Sequence, residues 1–339
     1  MRKFILFLFS LAVGTALFWW IIDTVGWGKI KLAFQHFSIQ AGLIILLLTI
    51  LSVLIRSFRW KTILNSQQYN IPFLKVLEYY LSGLSITFFF PMVIFGGEVF
   101  KGYDLKEKYS IPWPKSIASV IIDRILEITT YAIAAVFGIA FFILKATFTP
   151  AKFYLTIFLG TFFILILIGI FYFKSFKKKS IISSLLKIFR LKNSNGAETM
   201  IGVEKELFRY FRPNKKVMWK GIALSFLHVL TLLARAMLLI LFLGKEIDVL
   251  LVVSIVAFSS LAMLLPIPAA LGSHEAVQSF VFDSLGLGAN TAMAFVFIIR
   301  GVELIIALFG VVFFFRFGIQ ILDSVILRKI TKLIIHKKK

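Results

Sequence analysis

Long runs of apolar residues constrain the fold of this 339-residue chain more than any other feature of its sequence. A helix needs roughly 20 mostly apolar residues to cross the hydrocarbon core of a bilayer. Because that core holds no water, a continuous apolar segment must pair its own backbone groups, as a helix does. Eight apolar blocks approach or exceed the required length: residues 4–22, 41–55, 76–95, 116–144, 151–173, 217–243, 249–271 and 289–315. The sequence therefore predicts an all-α integral membrane protein, with the first block a retained span rather than a cleaved signal peptide.

The positive charge of the chain is distributed as in a membrane protein. The net charge of +22 would also suit a protein that binds nucleic acid. If the N-terminus is cytoplasmic, the inner segments (1–3, 56–75, 101–115, 174–216 and 316–339) carry 29 of the 38 Lys and Arg residues, and the outer segments (23–40, 145–152, 244–248 and 286–290) carry only 5. Such an excess is typical of cytoplasmic loops. We predict a multi-pass protein of the cell (inner) membrane with both termini cytoplasmic, membrane lipids with anionic headgroups as partners, and no nucleic-acid partner.

Several kinds of chemistry are excluded by residue types that are missing. The chain has no cysteine, which excludes disulfides, thiol catalysis and iron–sulfur clusters. Its four histidines do not have the spacing of metal ligands, so we predict no metal and no cofactor. His228, inside an apolar block, is expected to be a packed core histidine rather than a proton relay. No glycine-rich nucleotide loop is visible, which argues against an ATP-driven pump.

A pattern of charged and turn residues occurs twice along the chain. In each half a proline precedes a glutamate by seven residues, as in Pro91–Glu98 and Pro268–Glu275. The order Arg, Glu, Arg, Glu is formed by Arg59, Glu98, Arg124 and Glu127 in the first half and by Arg235, Glu275, Arg300 and Glu303 in the second. The first two separations are 39 and 26 residues in one half and 40 and 25 in the other. This match predicts an internal structural repeat.

The two repeats are expected to have opposite orientations in the membrane. The basic loop 174–216 stays cytoplasmic only if residues 76–109 enter and leave the membrane on one side, as a re-entrant hairpin. The second hairpin, 249–285, has a returning arm of only 12 residues, which is too short to cross. The predicted fold is a helical bundle of six full spans plus two re-entrant helical hairpins, in two inverted repeats. Residues 1–150 contain spans 4–22, 41–58 and 116–144, and residues 151–339 contain spans 151–173, 217–243 and 289–315 with the basic loop and the basic tail 316–339.

Charged residues inside the apolar blocks are candidate functional residues. Each costs roughly 2.5–3.5 kcal/mol at the centre of a span, so they must face the bundle interior or water. Arginine and glutamate three residues apart share a helix face and can pair, either as purely structural salt bridges or as part of a site. Guanidinium suits bidentate phosphate contacts, so we predict phosphate binding by Arg59, Arg124, Arg235 and Arg300. Charge balance or proton coupling is assigned to Glu98, Asp123, Glu127, Glu275 and Glu303.

Both hairpin turns combine proline and glycine with the start of a helix. Proline ends the preceding helix, and glycine lets backbone or ligand approach closely. Ser273 is expected to be the N-cap of the helix that follows it. The N–H groups at a helix start favour an anion, although Glu98 and Glu275 could satisfy these groups themselves. The turn residues predicted to contact phosphate are Gly96, Gly97, Gly272, Ser273 and His274.

Four motifs resemble those of a known membrane family. They are Arg59-Trp60-Lys61, Gly96-Gly97-Glu98-Val99-Phe100-Lys101, Asp123-Arg124 and the segment Pro266–Ala276. They resemble the transmembrane-domain family of the lysylphosphatidylglycerol synthases, over nearly the whole chain. That family usually has Pro-x-Pro-Gly-Gly-Leu-Gly-x-Arg-Glu-Ala in the last motif, where this chain has Ala269, Ala270 and His274 in place of two glycines and the arginine. The resemblance implies lipid translocation. The soluble aminoacyl-transferase part is not in this sequence, so we do not expect the chain to make lysyl-lipids.

These observations favour a membrane lipid flippase over an enzyme. The expected substrate is a phosphate-bearing lipid, either a phospholipid or a polyprenyl-phosphate-linked lipid, moved through a central cavity between the repeats. Two other classes remain open on the sequence alone. One is a lipid-modifying transferase with Glu98 or Glu275 as general base. The other is a non-catalytic membrane scaffold.

Overall fold

The structure is a bundle of α-helices. The computed structural model describes Trp19, Asp23, Gln35 and Ser180 and the ranges 27–33, 37–89, 96–145, 151–177, 196–212, 215–246, 248–262 and 272–337. The helices are α1 Trp27–Ala33, α2 Ile39–Ser66, α3 Phe73–Phe89, α4 Gly96–Tyr109, α5 Trp113–Lys145, α6 Ala151–Phe176, α7 Ala197–Tyr210, α8 Lys216–Phe242, α9 Val249–Ala262, α10 Ser273–Ser284 and α11 Ala289–Lys337. Within the described ranges every regular element is a helix, so the predicted all-α class is confirmed.

Five helices are long and apolar enough to cross a membrane. They are Ile39–Ser66, Trp113–Lys145, Leu159–Phe176 of α6, Lys216–Phe242 and Ala289–Arg316 of α11. Each overlaps one of the six predicted spans, and the sixth, 4–22, lies outside the described residues apart from Trp19. The exposed residues of α6 include Phe162, Phe163 and Leu167. A helix with such an apolar exposed surface is suited to contact with lipid chains.

α2 places two arginines inside the bundle. The helix begins at Ile39 because the Ser38 hydroxyl accepts a hydrogen bond from the Ala41 N–H, at 3.2 Å. It ends at Ser66, shortly before Gln68 takes a positive φ of 72°. Between these ends, Arg56 and Arg59 lie three residues apart and therefore on one face of the helix.

Each predicted hairpin consists of two helices in contact, α3 with α4 and α9 with α10. The turn residues Pro91 and Pro268 fall in the gaps 90–95 and 263–271, outside the described residues. α10 begins at Ser273 with Gly272 as its N-cap, so the prediction that Ser273 is the N-cap is wrong. The physical reason is the backbone conformation, because the cap has a φ of 76°, which glycine adopts without strain.

α2 and α8 cross in opposite directions. Thr49 contacts Arg235, Ser52 contacts His228, and Arg59 contacts Ser225. Along these three contacts the residue numbers rise on α2 and fall on α8. The two helices therefore pack antiparallel through their middle sections.

The first arm of each hairpin packs on the last long helix of the other half of the chain. α3 contacts α11, and α9 contacts α5. A serine hydroxyl donates to a backbone carbonyl at each crossing, Ser85 to Ala307 at 2.6 Å and Ser254 to Gly138 at 2.7 Å. Both crossings also contain a glycine in direct contact with the opposite backbone. A Cβ added to Gly310 would collide with the Leu81 carbonyl oxygen, and a Cβ added to Gly138 would lie 2.7 Å from the Val253 carbonyl oxygen.

We expect Gly310→Ala to destabilise the bundle, because the methyl group has no space between α11 and α3. Overpacking of this kind costs roughly 1–3 kcal/mol. The measurement is the midpoint of thermal unfolding in detergent. Gly301→Ala on the same helix is the matched control, since nothing lies within 4 Å of its added Cβ. Equal midpoints for the two variants would contradict this account of the crossing.

Buried apolar residues form two separate clusters. One contains Phe142, Phe258, Phe282 and Phe295 and is built mainly from α5, α8, α9, α10 and α11. The other contains Trp60 and Tyr80 and is built from α2, α3, α4, α5 and α7, with Met218 and Ile306. α5 contributes residues 118–126 to the second cluster and residues 135–142 to the first. Asp123, Arg124 and Glu127 of α5 lie near the boundary between these two stretches.

Candidate functional site

The charged side chains predicted as site residues form two groups, one in each half of the chain, and Arg56 joins the first of them. The first cluster consists of Arg56, Arg59, Glu98, Asp123, Arg124 and Glu127. The second cluster consists of Arg235, His274, Glu275, Arg300 and Glu303. All of the predicted arginines and acidic residues belong to one of them.

Arg59 is the most enclosed member of the first cluster, with none of its surface exposed. Its Nε lies 2.7 Å from Asp123 Oδ1, and its Nη1 donates to Ser225 Oγ at 3.0 Å. Its Nη2 lies 3.7 Å from Glu127 Oε2. Three helices, α2, α5 and α8, are thus joined at a single guanidinium group. A buried charge is tolerated only when it is paired, and this one is paired and hydrogen-bonded through Nε and Nη1, while Nη2 has only the longer ionic contact.

Glu127 is the shared acceptor of the first cluster. Arg56 Nη2 lies 2.7 Å from Glu127 Oε1, and Arg124 Nη1 lies 3.1 Å from Glu127 Oε2. The predicted pairing of Arg124 with Glu127 is therefore confirmed. Arg56 was not predicted as a site residue, because at the end of an apolar block it was interpreted as the boundary of a span. The signal that could have identified it is its spacing of three residues from Arg59.

Arg124 also joins the first hairpin to α5. Its Nε donates to Glu98 Oε1 at 2.6 Å, and its Nη2 contacts the same oxygen. Glu98 lies in the first turn of α4 and is 7% exposed. One turn further along α4, Lys101 lies over the ring of Tyr80, with Nζ 3.9 Å from its centroid. We call the Glu98–Arg124 pair the first-hairpin latch.

The predicted turn glycines of the first hairpin have an observable packing role. Gly96 begins α4, and Gly97 lies against α3. A Cβ at Gly97 would collide with the Gly83 carbonyl oxygen and lie 2.5 Å from Thr87 Oγ1. Glycine at this position therefore permits the two arms to touch. The predicted contact of Gly96 and Gly97 with a phosphate stays a prediction.

The second cluster is held by one carboxylate. Glu303 Oε2 lies 3.2 Å from Arg300 Nη1, and Glu303 Oε1 lies 3.7 Å from Arg235 Nη2. The predicted pairing of Arg300 with Glu303 is confirmed. Arg235 also donates from Nη1 to Thr49 Oγ1 at 3.3 Å. Two arginines thus share one glutamate here, whereas three arginines share three acidic residues in the first cluster.

Several buried atoms of the second cluster have no hydrogen-bond partner in the described part of the chain. They are Arg235 Nε, Arg300 Nε and Nη2, both ring nitrogens of His274, and Glu275 Oε2. His274 is 1% exposed and Glu275 3% exposed, so bulk water does not explain their lack of partners. Buried polar groups are nearly always paired, and each exception calls for an explanation.

The second-hairpin residues lie close to these arginines. The positive charges of Arg300 and Arg235 act on the His274 ring, and that of Arg300 acts on the Glu275 carboxylate. The backbone N–H groups of Gly272 and Glu275 also hydrogen-bond the Glu275 carboxylate. Glu275 therefore satisfies part of the N-terminus of α10, as one of the two sequence interpretations allowed.

His228 lies between the two clusters. Its Nδ1 is 3.0 Å from Ser52 Oγ on α2, and its Nε2 is 3.0 Å from Tyr131 Oη on α5. The ring is 1% exposed, which agrees with the prediction of a packed core histidine. Sequence reasoning did not find its two partners, because each comes from a different and distant helix.

The long apolar helices and the charge clusters enclosed between them define a multi-pass α-helical membrane protein. The Lysylphosphatidylglycerol synthase TM region family matches residues 7–310, and the chain belongs to that family. The UPF0104 membrane protein PH1989 of Pyrococcus horikoshii is 27% identical over 310 residues, which cover 87% of this chain and 90% of that protein. The UPF0104 membrane protein MJ1595 of Methanocaldococcus jannaschii is 26% identical over 298 residues, with coverages of 84% and 87%. The family resemblance of the sequence motifs is thereby confirmed.

Proposed function

We propose that this protein is a lipid flippase that moves a phosphate-bearing lipid between the leaflets of the cell membrane. The observation that carries the proposal is the second cluster, where buried guanidinium N–H groups and an imidazole have no partner among the described residues. Guanidinium groups bind phosphate oxygens through charge-assisted hydrogen bonds. A phosphate brought between α8, α10 and α11 would accept hydrogen bonds from Arg235, Arg300 and the ring N–H of His274.

We propose further that residues 1–150 and 151–339 are inverted repeats. The antiparallel crossing of α2 with α8 supports this, because these helices carry the equivalent arginines Arg59 and Arg235. The reciprocal packing of α3 on α11 and of α9 on α5 supports it as well. In this arrangement the five described spans and the segment 4–22 make six full spans, and α3–α4 and α9–α10 are the two re-entrant hairpins. Inverted repeats of this kind are common in secondary transporters.

Among the contacts that differ between the two repeats, the one made by the hairpin glutamate suggests how access alternates. The first hairpin is latched by Glu98 on Arg124, at 2.6 Å. In the described part of the chain, Glu275 of the second hairpin has no ion pair with Arg300. We propose that the two repeats alternate between these states. When the first-hairpin latch opens, Glu275 forms an ion pair with Arg300. Arg124 would then be available to phosphate in the other state, and the acidic residues would balance charge or carry a coupling proton.

The setting proposed for this activity follows from the distribution of charge. Lys and Arg are concentrated in the segments assigned to the cytoplasm, which supports the proposal that both termini lie there and favours contact with anionic lipids. The protein is proposed to act as a transporter rather than as an enzyme.

A flip assay tests the proposal. The purified protein is reconstituted into liposomes with fluorescent phospholipid, and a membrane-impermeant reductant bleaches the outer leaflet. We expect the wild type to give faster and fuller bleaching than empty liposomes, and Arg300→Gln to lose at least about tenfold in rate, the worth of one hydrogen bond to a charged group. The matched control is Arg209→Gln, because Arg209 is likewise three residues from the glutamate it pairs with, Glu206, but its side chain is 48% exposed.

Two outcomes of this assay contradict parts of the proposal. A folded wild type that moves no phospholipid would contradict the flippase function. Equal rates for the wild type, Arg300→Gln and Arg209→Gln would leave lipid movement in place and remove the second cluster from the lipid path.

A further inference from the structure

The unpartnered atoms of the second cluster include acceptors as well as donors. The Arg235 and Arg300 nitrogens can only donate hydrogen bonds, and they suit phosphate oxygens. Glu275 Oε2 can only accept while the carboxylate is ionised. A phosphate group alone would satisfy the arginines and leave this carboxylate oxygen unpaired beside a second negative charge.

The position of Glu275 makes that acceptor part of the same site. α10, which carries His274 and Glu275, packs against α11, which carries Arg300, and the charge of Arg300 acts on both side chains. The backbone N–H groups of Gly272 and Glu275 hydrogen-bond the Glu275 carboxylate, and its Oε2 is left with no partner among the described residues. Glu275 and His274 are both more than nine-tenths buried, so bulk water does not satisfy them and they are available to a group of a bound ligand.

We infer that the lipid bound at the second cluster carries a hydrogen-bond donor, a hydroxyl or an ammonium group, next to its phosphate. The phosphate contacts Arg235 and Arg300, and the donor group contacts Glu275 Oε2. This inference rests on the proposed lipid transport and narrows its substrate class. A headgroup that has the phosphate but no such donor pairs with the two arginines and leaves the Glu275 carboxylate unpaired.

Two pairs of headgroups test the inference, because the members of each pair have equal charge. Phosphatidylglycerol has hydroxyl donors that phosphatidylmethanol lacks. Phosphatidylethanolamine has N–H donors that phosphatidylcholine lacks. Each lipid is labelled on an acyl chain and followed in the liposome bleaching assay. We expect the donor-bearing member of each pair to move at least about tenfold faster, since a hydrogen bond to a charged group is at stake.

The variant Glu275→Leu removes both carboxylate oxygens at nearly unchanged volume, and we expect it to abolish the difference within each pair. Glu198→Leu, an exposed glutamate in the first turn of α7, is the control that should keep the difference. Equal wild-type rates within both pairs would overturn the inference while lipid transport stands. No movement of any of the four lipids by folded wild type would overturn transport itself. The wild-type comparison decides the matter even if Glu275→Leu fails to fold.

Discussion

Arg59→Gln is expected to destabilise the protein far more than Arg235→Gln, although the two arginines occupy equivalent places in the proposed repeats. Arg59 is fully buried and pairs with Asp123 at 2.7 Å. Its removal leaves the Asp123 carboxylate uncompensated and removes the donor to Ser225 Oγ. Breaking a buried ion pair by deleting one partner costs roughly 3–5 kcal/mol. Arg235 lies 3.7 Å from Glu303. In Arg235→Gln this glutamate is still paired with Arg300, its closer partner at 3.2 Å.

The measurement is thermal or denaturant unfolding of both variants in the same detergent. For Arg235→Gln we expect a small loss of stability together with loss of lipid movement, and for Arg59→Gln a large loss of stability. Asp123→Asn in the Arg59→Gln background should recover part of the stability, because it removes the charge that was left unpaired. A similar cost for both arginine variants would show that the two clusters are alike, contrary to the contacts described above.

Fixing the first hairpin against α5 is expected to stop lipid movement. An added Cβ at Gly102 lies 3.6 Å from Ser116 Oγ, so the side chains of Gly102→Cys/Ser116→Cys would be in contact and can be joined by oxidation. Glu98 is one helical turn from Gly102, about 6 Å along the axis, so the bridge holds its carboxylate near Arg124. If the latch must open in each cycle, oxidation should lower the flip rate at least about tenfold, which is 1.4 kcal/mol of added barrier at 25 °C.

The chain has no cysteine of its own, so the engineered bridge is the sole disulfide that can form within it. Reduction of the same sample should restore the rate, which makes each preparation its own control. Gly102→Cys alone, treated with the same oxidant, should keep the rate of its reduced form. Full activity of the oxidised double variant would show that the first hairpin does not need to leave α5.

Much of the fold could be predicted from sequence because long apolar blocks leave few alternatives inside a bilayer. The helices over 39–66, 113–145 and 216–242 follow directly from their length and hydropathy. The pairs Arg124–Glu127 and Arg300–Glu303 were predictable because they depend only on spacing within one helix. The contacts of Arg59 with Ser225 and of His228 with Ser52 and Tyr131 could not be predicted, because they depend on which helices cross and on where along their lengths they meet.

The repeat pattern in the sequence also did not predict the difference between the two clusters. Equal motifs in the two halves suggested equal sites. The structure shows that Arg56 and Asp123, which lie outside the repeated order, complete the first cluster with carboxylate contacts at 2.7 Å. No such residues complete the second cluster in the described part of the chain. Its unpartnered atoms include His274 and Glu275 as well as arginine nitrogens, whereas in the first cluster they are limited to Arg56 Nε and Arg59 Nη2 among the described residues.

The glycine crossings determine which parts of the molecule can move together. Gly310 is in direct contact with the backbone of α3, and Gly138 with that of α9, each beside a serine hydrogen bond. Backbones in such close contact cannot slide past one another without losing that hydrogen bond. Each hairpin's first arm is therefore fastened to a long helix of the opposite half. The mobile units of the transport cycle are then expected to be α3 with α11 and α5 with α9, two bodies that each contain helices from both halves of the chain.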